Sequence, residues 1–495
     1  AVRHPYGDSP ARDLLRLPLG VEGGAVVTQP FHPRDYQRAI WQFIADHERC
    51  NVWAGMGTGK SVSTLTALDA LSLTADPFPA LVLAPLRVAS STWPDEVRKW
   101  AHLQGLRIAA ATGSESQRSH LVHSRHADIV TINYDKLPWL VDHLGPLWPF
   151  RTVVADESTR LKSFRLKQGG VRAQALGKVA HKRVRRWINL TGTPSPNGLR
   201  DLWGQQWFVD EGQRLGRTFS AFENRWFAYK RKSDIAKKDK GAVEMVVMPF
   251  AQRQIEEALA DCTITIRASD YLDLPPLVEN TIPVELPPTA RRYYRELEKE
   301  MFTTLAGGHE VEAFNAAALT QKCLQCANGA IYTGETGSGQ WQEVHDGKIE
   351  ALRSVVEEAA GAPVLVAYHF KSDLARILKR FPFAVELKAE RQLQAFREGK
   401  VLLGVGHPAS MGHGVDGLQN HCSTVVFFGH WWSLEQRQQM IERVGPTRQV
   451  QAGHNRSVTV HDIVAQGTVD EIVMDRHRTK ASVQELLMNA MKGKL

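Results

Sequence analysis

No stretch of the chain approaches the roughly 20 consecutive apolar residues that a membrane-spanning helix requires, so no membrane partner is expected. Cysteine is scarce: five residues at scattered positions in 495, an odd count that argues against a disulfide framework. Only Cys323 and Cys326 stand at a metal-like spacing, and no second pair follows to complete a four-ligand zinc site. They fall in "AAALTQKCLQCANGAIY", which reads as a helix, and are expected to be buried thiols. The 19 histidines nowhere form the His-Glu-x-x-His pattern, and His407, His413, His421 and His430 are expected in loops and core. Internal repeats and long low-complexity tracts are absent. "AVRHPYGDSPARDLL" lacks the apolar centre of a signal peptide, so a cytoplasmic location is expected. Charge of neither sign dominates: 61 Lys+Arg against 53 Asp+Glu leave +8, an excess that a polyanionic partner would suit.

What the chain does contain is a rhythm. Short apolar runs ("CNVWAG", "ALVLAP", "DIVTINY", "TVVADE", "RWINLTGTP") alternate with functional-looking loops and helical stretches between about 50 and 205. Parallel strands buried on both faces look like this, with loops gathering at their carboxyl ends. The rhythm returns in "PVLVAYHF", "KVLLGVG", "STVVFFGH" and "SVTVHDIVA". An α/β fold with two doubly wound parallel-sheet lobes follows. Between them the pattern turns helical and charged, its aromatics expected on buried stripes. "DIAKKDKGA" reads as an exposed loop, and "DLPPLVENTIPVELPP" (273–288) as an extended connector.

The strongest single signal is "VWAGMGTGKS" (52–61). A strand enters, Gly55, Gly57 and Gly59 let backbone amides converge, with Met56 and Thr58 between them, and Lys60-Ser61 open a helix. Such a loop cradles phosphates, with Lys60 on the β/γ-phosphates of ATP and Ser61 on Mg²⁺. "TVVADESTRLKS" (152–163) supplies the complementary carboxylates at a strand end: Asp156 for Mg²⁺, and Glu157 to orient and deprotonate water.

With these in place the ordered series resembles the superfamily 2 helicases, and within them the Snf-type (Swi/Snf) double-stranded DNA translocases, in a compact bacterial or phage form. "FHPRDYQRAIW" resembles the entry motif, with Gln37 expected near adenine; "AGMGTGKS" is motif I. "LVLAPLRVASSTWPDEVRKW" resembles motif Ia, and "DIVTINYDKL" the DNA-facing segment that follows it. "ADESTRLKS" and "LTGTPSPNGLRDLW" resemble motifs II and III. In the second half, "VLVAYHF", "GHPASMGHGVDGLQ" and "WWSLEQRQQMIERVGPTRQ" resemble motifs IV, V and VI, and "VAQGTVDEIV" the segment closing the second lobe.

The resemblance implies two RecA-like lobes with ATP in the cleft, helical insertions between them, and duplex DNA across both. It implies nucleotide contacts from Gly414, Asp416 and Gln439, and Arg443 completing the site from the second lobe. Implied DNA contacts are Arg87, Asn133, Lys162, Ser163, Thr193, Ser410 and Met411, mainly to phosphates. The expected organisation is an N-terminal extension (1–24), lobe 1 (25–205), its helical protrusion (206–272), a linker and second helical protrusion (273–345), lobe 2 (346–478) and a C-terminal helix (479–495).

Two positions depart from the family pattern. Thr159 stands where motif II usually has His, a position that couples the ATP site to motif III, so a hydroxyl is expected to serve there. Pro446 stands where motif VI has its second arginine; Arg448, two residues on, is expected to be brought back by the Gly445-Pro446 turn. The expected function is an ATP-dependent, DNA-stimulated motor on double-stranded DNA, monomeric, in a bacterial or phage-infected cell, with no protein partner legible. The alternatives are a strand-separating helicase on forked, branched or RNA-containing substrates, and a DNA-binding assembly protein with a weakened ATPase.

Overall fold

The computed structural model describes residues 28–123, 126–167, 169–231, 243–307, 320–333, 339–411 and 415–492. The expected N-terminal extension, the "DIAKKDKGA" loop, His413 and Gly414 lie outside them. Six early strands, β1 (Arg49–Ala54), β2 (Ala80–Ala84), β3 (Ile108–Ala110), β4 (Ile129–Asn133), β5 (Thr152–Asp156) and β6 (Arg186–Thr191), build the first sheet. A hairpin of β7 (Phe227–Arg231) and β8 (Val243–Val247) follows, and β9 (Thr263–Ile266) then returns to the first sheet. The order is β3-β4-β2-β5-β6-β1-β9, with every pairing parallel.

The second sheet takes β10 (Leu277–Val284) and, after a hairpin of β11 (Ala330–Tyr332) and β12 (Trp341–Glu343), five strands of the second lobe. These are β13 (Val364–Ala367), β14 (Ala384–Glu386), β15 (Leu403–Gly406), β16 (Thr424–Phe427) and β17 (Val458–Ala465). Their order is β10-β17-β16-β13-β15-β14, again wholly parallel.

Alternation along the strands shows why both sheets are covered on two faces. Leu81, Leu83, Val153 and Ala155 pack into one core, while Ala80, Val82, Ala84 and Val154 pack into another on the opposite face. In the second sheet Leu365, Ala367, Val425 and Phe427 face one core, and Val364, Val366, Val426 and Phe428 the other. Cys323 and Cys326 are buried with Tyr294 and Val473 in a smaller cluster beside the second lobe.

Three expected boundaries are corrected. The stretch 206–272 is not only a helical protrusion, because β9 pairs with β1 and extends the first sheet. The connector 273–288 contains β10, paired along its length with β17 at the sheet edge. Pro283 is tolerated there because an edge strand leaves one row of backbone groups without a ladder partner. The C-terminal helix begins earlier than expected, at Val469, and reaches back to the first lobe, where Lys480 Nζ donates to Asn197 Oδ1 at 2.8 Å.

Candidate nucleotide cleft and nucleic-acid groove

β1 delivers the chain to the glycine loop, and the helix Lys60–Ser72 carries it away. Gly57 (φ +77°) and Gly59 (φ +81°) occupy the left-handed region, where a side chain is strained. A Cβ at Gly59 would also lie 2.3 Å from Gln37 Nε2, so that a side chain there would displace the Gln37 amide. Gln37 itself donates to Thr58 O at 3.4 Å, so the entry motif touches the loop directly. Lys60 folds back, its Nζ donating to Ala54 O (2.8 Å) and Gly55 O (3.0 Å). Burial disfavours its charge, and the opposing attraction of Glu157, Asp156 and Glu442 is smaller.

Asp156 closes β5 and Glu157 follows it. The Trp93 indole donates to Asp156 Oδ2 at 2.9 Å, and the Tyr134 hydroxyl to Asp156 O at 2.8 Å. Burial pushes both carboxyl groups above the ordinary carboxylate range, against the pull of Lys60. Glu157 adopts φ +57°, ψ +57°, a left-handed conformation unusual for a side-chain-bearing residue and costing on the order of 1–3 kcal/mol. Ser158, rather than Thr159, makes the connection toward motif III: its Oγ donates to Gln205 Oε1 (2.8 Å), and Gln205 Nε2 donates to Pro194 O (2.8 Å). Thr159 instead turns to the second lobe, its Oγ1 donating to Glu435 Oε1 at 3.4 Å.

The second lobe meets this site through two short helices, Leu434–Glu442 and Pro446–Gln451. Arg443 is buried, with Nη1 donating to Val415 O (2.5 Å) and Nη2 directed at Met56 Sδ (3.6 Å) of the glycine loop. Pro446 does not simply break a helix; it occupies the first turn of the next one, where its missing N–H costs nothing. That helix lands on the loop: Gln451 Nε2 donates to Gly57 O, and Thr447 Cγ2 lies 3.3 Å from where a Gly57 Cβ would sit. Arg448 stands on it, ion-paired with Asp416, so the two expected site residues are brought together and the arginine's charge is held by a carboxylate.

Gln439 is buried and donates to Glu435 Oε1 at 3.2 Å along its own helix. One expectation is corrected here. Met411 is fully buried in the second-lobe core, packed against Gly406, and presents nothing to DNA. Of the remaining expected DNA residues, Arg87, Asn133 and Ser410 line one cavity of ≈ 490 Å³ between the lobes, together with Tyr134 and Arg160. Arg87 Nη2 also reaches across to Glu390 Oε2 at 3.2 Å. Lys162, Ser163 and Thr193 do not line it. Lys162 pairs with Asp201 at 3.7 Å, Ser163 is exposed, and Thr193 is buried with its N–H donating to Thr191 Oγ1.

Sequence reasoning missed Glu435, Glu442, Gln451 and Glu390. Glu435 and Glu442 share a helix face with spacing i, i+7, a pattern visible in "LEQRQQMIE" once the helix is assumed. Gln451 and Glu390 carry no comparable signal. Among the described residues no helix is long and apolar enough to cross a membrane.

Comparison with known proteins bears on this arrangement. The chain is similar to protein p41 of Acyrthosiphon pisum secondary endosymbiont phage 1, with 53% identity over 94% of this chain and 99% of that protein. It is also similar to the TATA-binding protein-associated factor BTAF1 of Arabidopsis thaliana, with 23% identity over 88% of this chain but only 24% of that protein. The chain thus spans nearly all of the phage protein and about a quarter of the plant one. Among solved structures it is similar to the Sulfolobus solfataricus SWI2/SNF2 ATPase core in complex with dsDNA (18% identity, 93% of each chain, TM-score 0.42), a likeness too loose to argue from. Residues 42–328 match the SNF2-related domain, and the chain belongs to the SNF2-related family.

Proposed function

We propose that this chain is an ATP-dependent translocase on double-stranded DNA. The observation that carries the reading is the meeting of the lobes at the glycine loop: Arg443 reaches Met56 and Gln451 reaches Gly57. A cleft built from a phosphate loop on one side and arginines on the other responds to what fills it by opening and closing.

In this reading Gln37 and the loop 55–61 hold the nucleotide. Lys60 exchanges its two carbonyl partners for phosphate oxygens, and the partly buried ammonium gains a full counter-charge in doing so. Ser61 and Asp156 offer the hard oxygen donors that Mg²⁺ prefers, and the ion when bound offsets phosphate charge. Glu157 takes the proton from the attacking water. Arg443 approaches from the opposite lobe to stabilise the charge that develops, with Arg448 available once Asp416 releases it. Arg87, Asn133 and Ser410 contact the duplex backbone, which a motor indifferent to sequence must read. Lys162 and exposed Ser163, outside that cavity, are proposed to meet the same duplex, whereas buried Thr193 is proposed to act only through its loop. The proposed motor acts as a monomer in the cytoplasm.

The test is ATP hydrolysis measured alone and with blunt duplex, single strand, fork and RNA, paired with triplex displacement and strand separation. Stimulation by blunt duplex with triplex displacement is expected. Strand separation on forks would favour a helicase, and hydrolysis indifferent to every nucleic acid would remove the motor reading.

A further inference from the structure

The segment carrying Glu157 is gripped from several directions. Within its own lobe Trp93 holds the Asp156 carboxylate, Tyr134 the Asp156 carbonyl, and Gln205 the Ser158 hydroxyl. Thr159 is different, because its partner belongs to the other lobe. Its hydroxyl donates to Glu435 Oε1 at 3.4 Å, and Gln439 Nε2 donates to that same oxygen at 3.2 Å. Thr159 is buried and Glu435 partly so, which lessens the competition of solvent for the bond.

The geometry has a mechanical side. Glu435 sits in the first turn of helix Leu434–Glu442, and Arg443 caps its end. One rigid element therefore carries the carboxylate that meets motif II and the guanidinium that meets the glycine loop. Neither contact forms without bringing up the other. Between the pinned Asp156 and the pinned Thr159 lies Glu157 in its left-handed turn, a conformation that persists only where neighbours impose it.

We infer that Glu435 is a positioning residue that acts through Thr159, so that docking of the second lobe and alignment of Glu157 are one event. The inference deepens the proposed ATPase reading and rests on it for the role of Glu157. The docking half stands on geometry alone. A hydroxyl at this position thus has a partner of its own across the cleft.

The test uses two readouts. The five native cysteines are buried, so cysteines introduced at exposed Leu73 and Phe383 accept a donor–acceptor dye pair selectively and report lobe closure without any turnover. In the full chain, Glu435→Ala and Thr159→Val are expected to lower the closed-to-open ratio about tenfold, with kcat falling about tenfold and KM for ATP nearly unchanged. The double variant should be no worse than either single one, the signature of one shared contact. Glu435→Gln keeps the acceptor oxygen and should restore closure, which separates loss of the contact from misfolding. Closure unaffected by both substitutions, or losses that simply add, would overturn the inference. If wild-type protein hydrolyses no ATP yet closure still depends on Glu435, the latch stands and the motor reading falls. If it hydrolyses ATP and closure ignores Glu435, the reverse holds.

Discussion

The two lobes bring different kinds of chemistry to their shared cleft. The first works largely through backbone, with left-handed glycines, a helix start and acids fixed at strand ends. The second works through side chains on two short helices whose register decides what faces the loop. Their interiors differ in the same sense. Buried polar groups in the first sheet are mostly neutral, with Asn51, Asn189 and Gln206 bonding one another or neighbouring backbone. The second lobe buries full charges: Lys348 and Asp470 pair at 2.5 Å with no exposure, and Arg437 pairs with Asp462. A backbone-built site tolerates little change in its few glycines, whereas a side-chain-built site can move a function along a helix.

That contrast can be broken at its strongest point first. Lys60→Ala should abolish turnover, and Glu157→Gln should retain ATP binding while blocking hydrolysis, both read by single-turnover assay and nucleotide binding. Undiminished turnover in Glu157→Gln would remove it as base.

The arginines of the second lobe come next. An arginine that stabilises transferring phosphate is worth roughly 10³ to 10⁵ in rate. Arg443→Ala should lose turnover on that scale with binding kept. Arg448→Ala sharpens the comparison: a comparable loss places it in the site despite Asp416, while near-normal hydrolysis makes its pair with Asp416 a structural tie.

Stability separates the interiors. Lys348→Ala strands Asp470 in the core and should cost about 3–5 kcal/mol in urea unfolding. An equivalent cut in the neutral network, Asn51→Ala, should cost less, about 1–3 kcal/mol. Equal losses would erase the distinction.

The smallest effect belongs to the groove. Arg87→Ala should flatten the log–log salt dependence of duplex binding by about one. Met411→Leu, a core exchange, should leave that slope alone and change stability by less than about 1.5 kcal/mol. A Met411 effect on the slope would restore it to the DNA surface.

How much of this was legible follows the same division. The glycine loop could be read because backbone geometry dictates residue type there, and the Asp156-Glu157 pair because it ends an unbroken apolar run. The central strands could be read because burial on both faces leaves unbroken apolar runs. β9 escaped because four residues after a helix give too short a run, and β10 because an edge strand exposes polar residues and tolerates proline. Met411 was misplaced because adjacency to a motif does not say which way a side chain turns. Thr159 was recognised as a departure, but its partner lies 276 positions away and only folding brings it near.

The contact between Gln451 and Gly57 carries a consequence for traffic. A loop tip covered by a helix from the opposite lobe is not a free doorway. Whatever occupies the loop enters and leaves while that helix is lifted. The helix that Pro446 begins then sets the tempo of exchange, and lengthening or loosening it would alter arrival and departure rates together while leaving the affinity between them largely untouched.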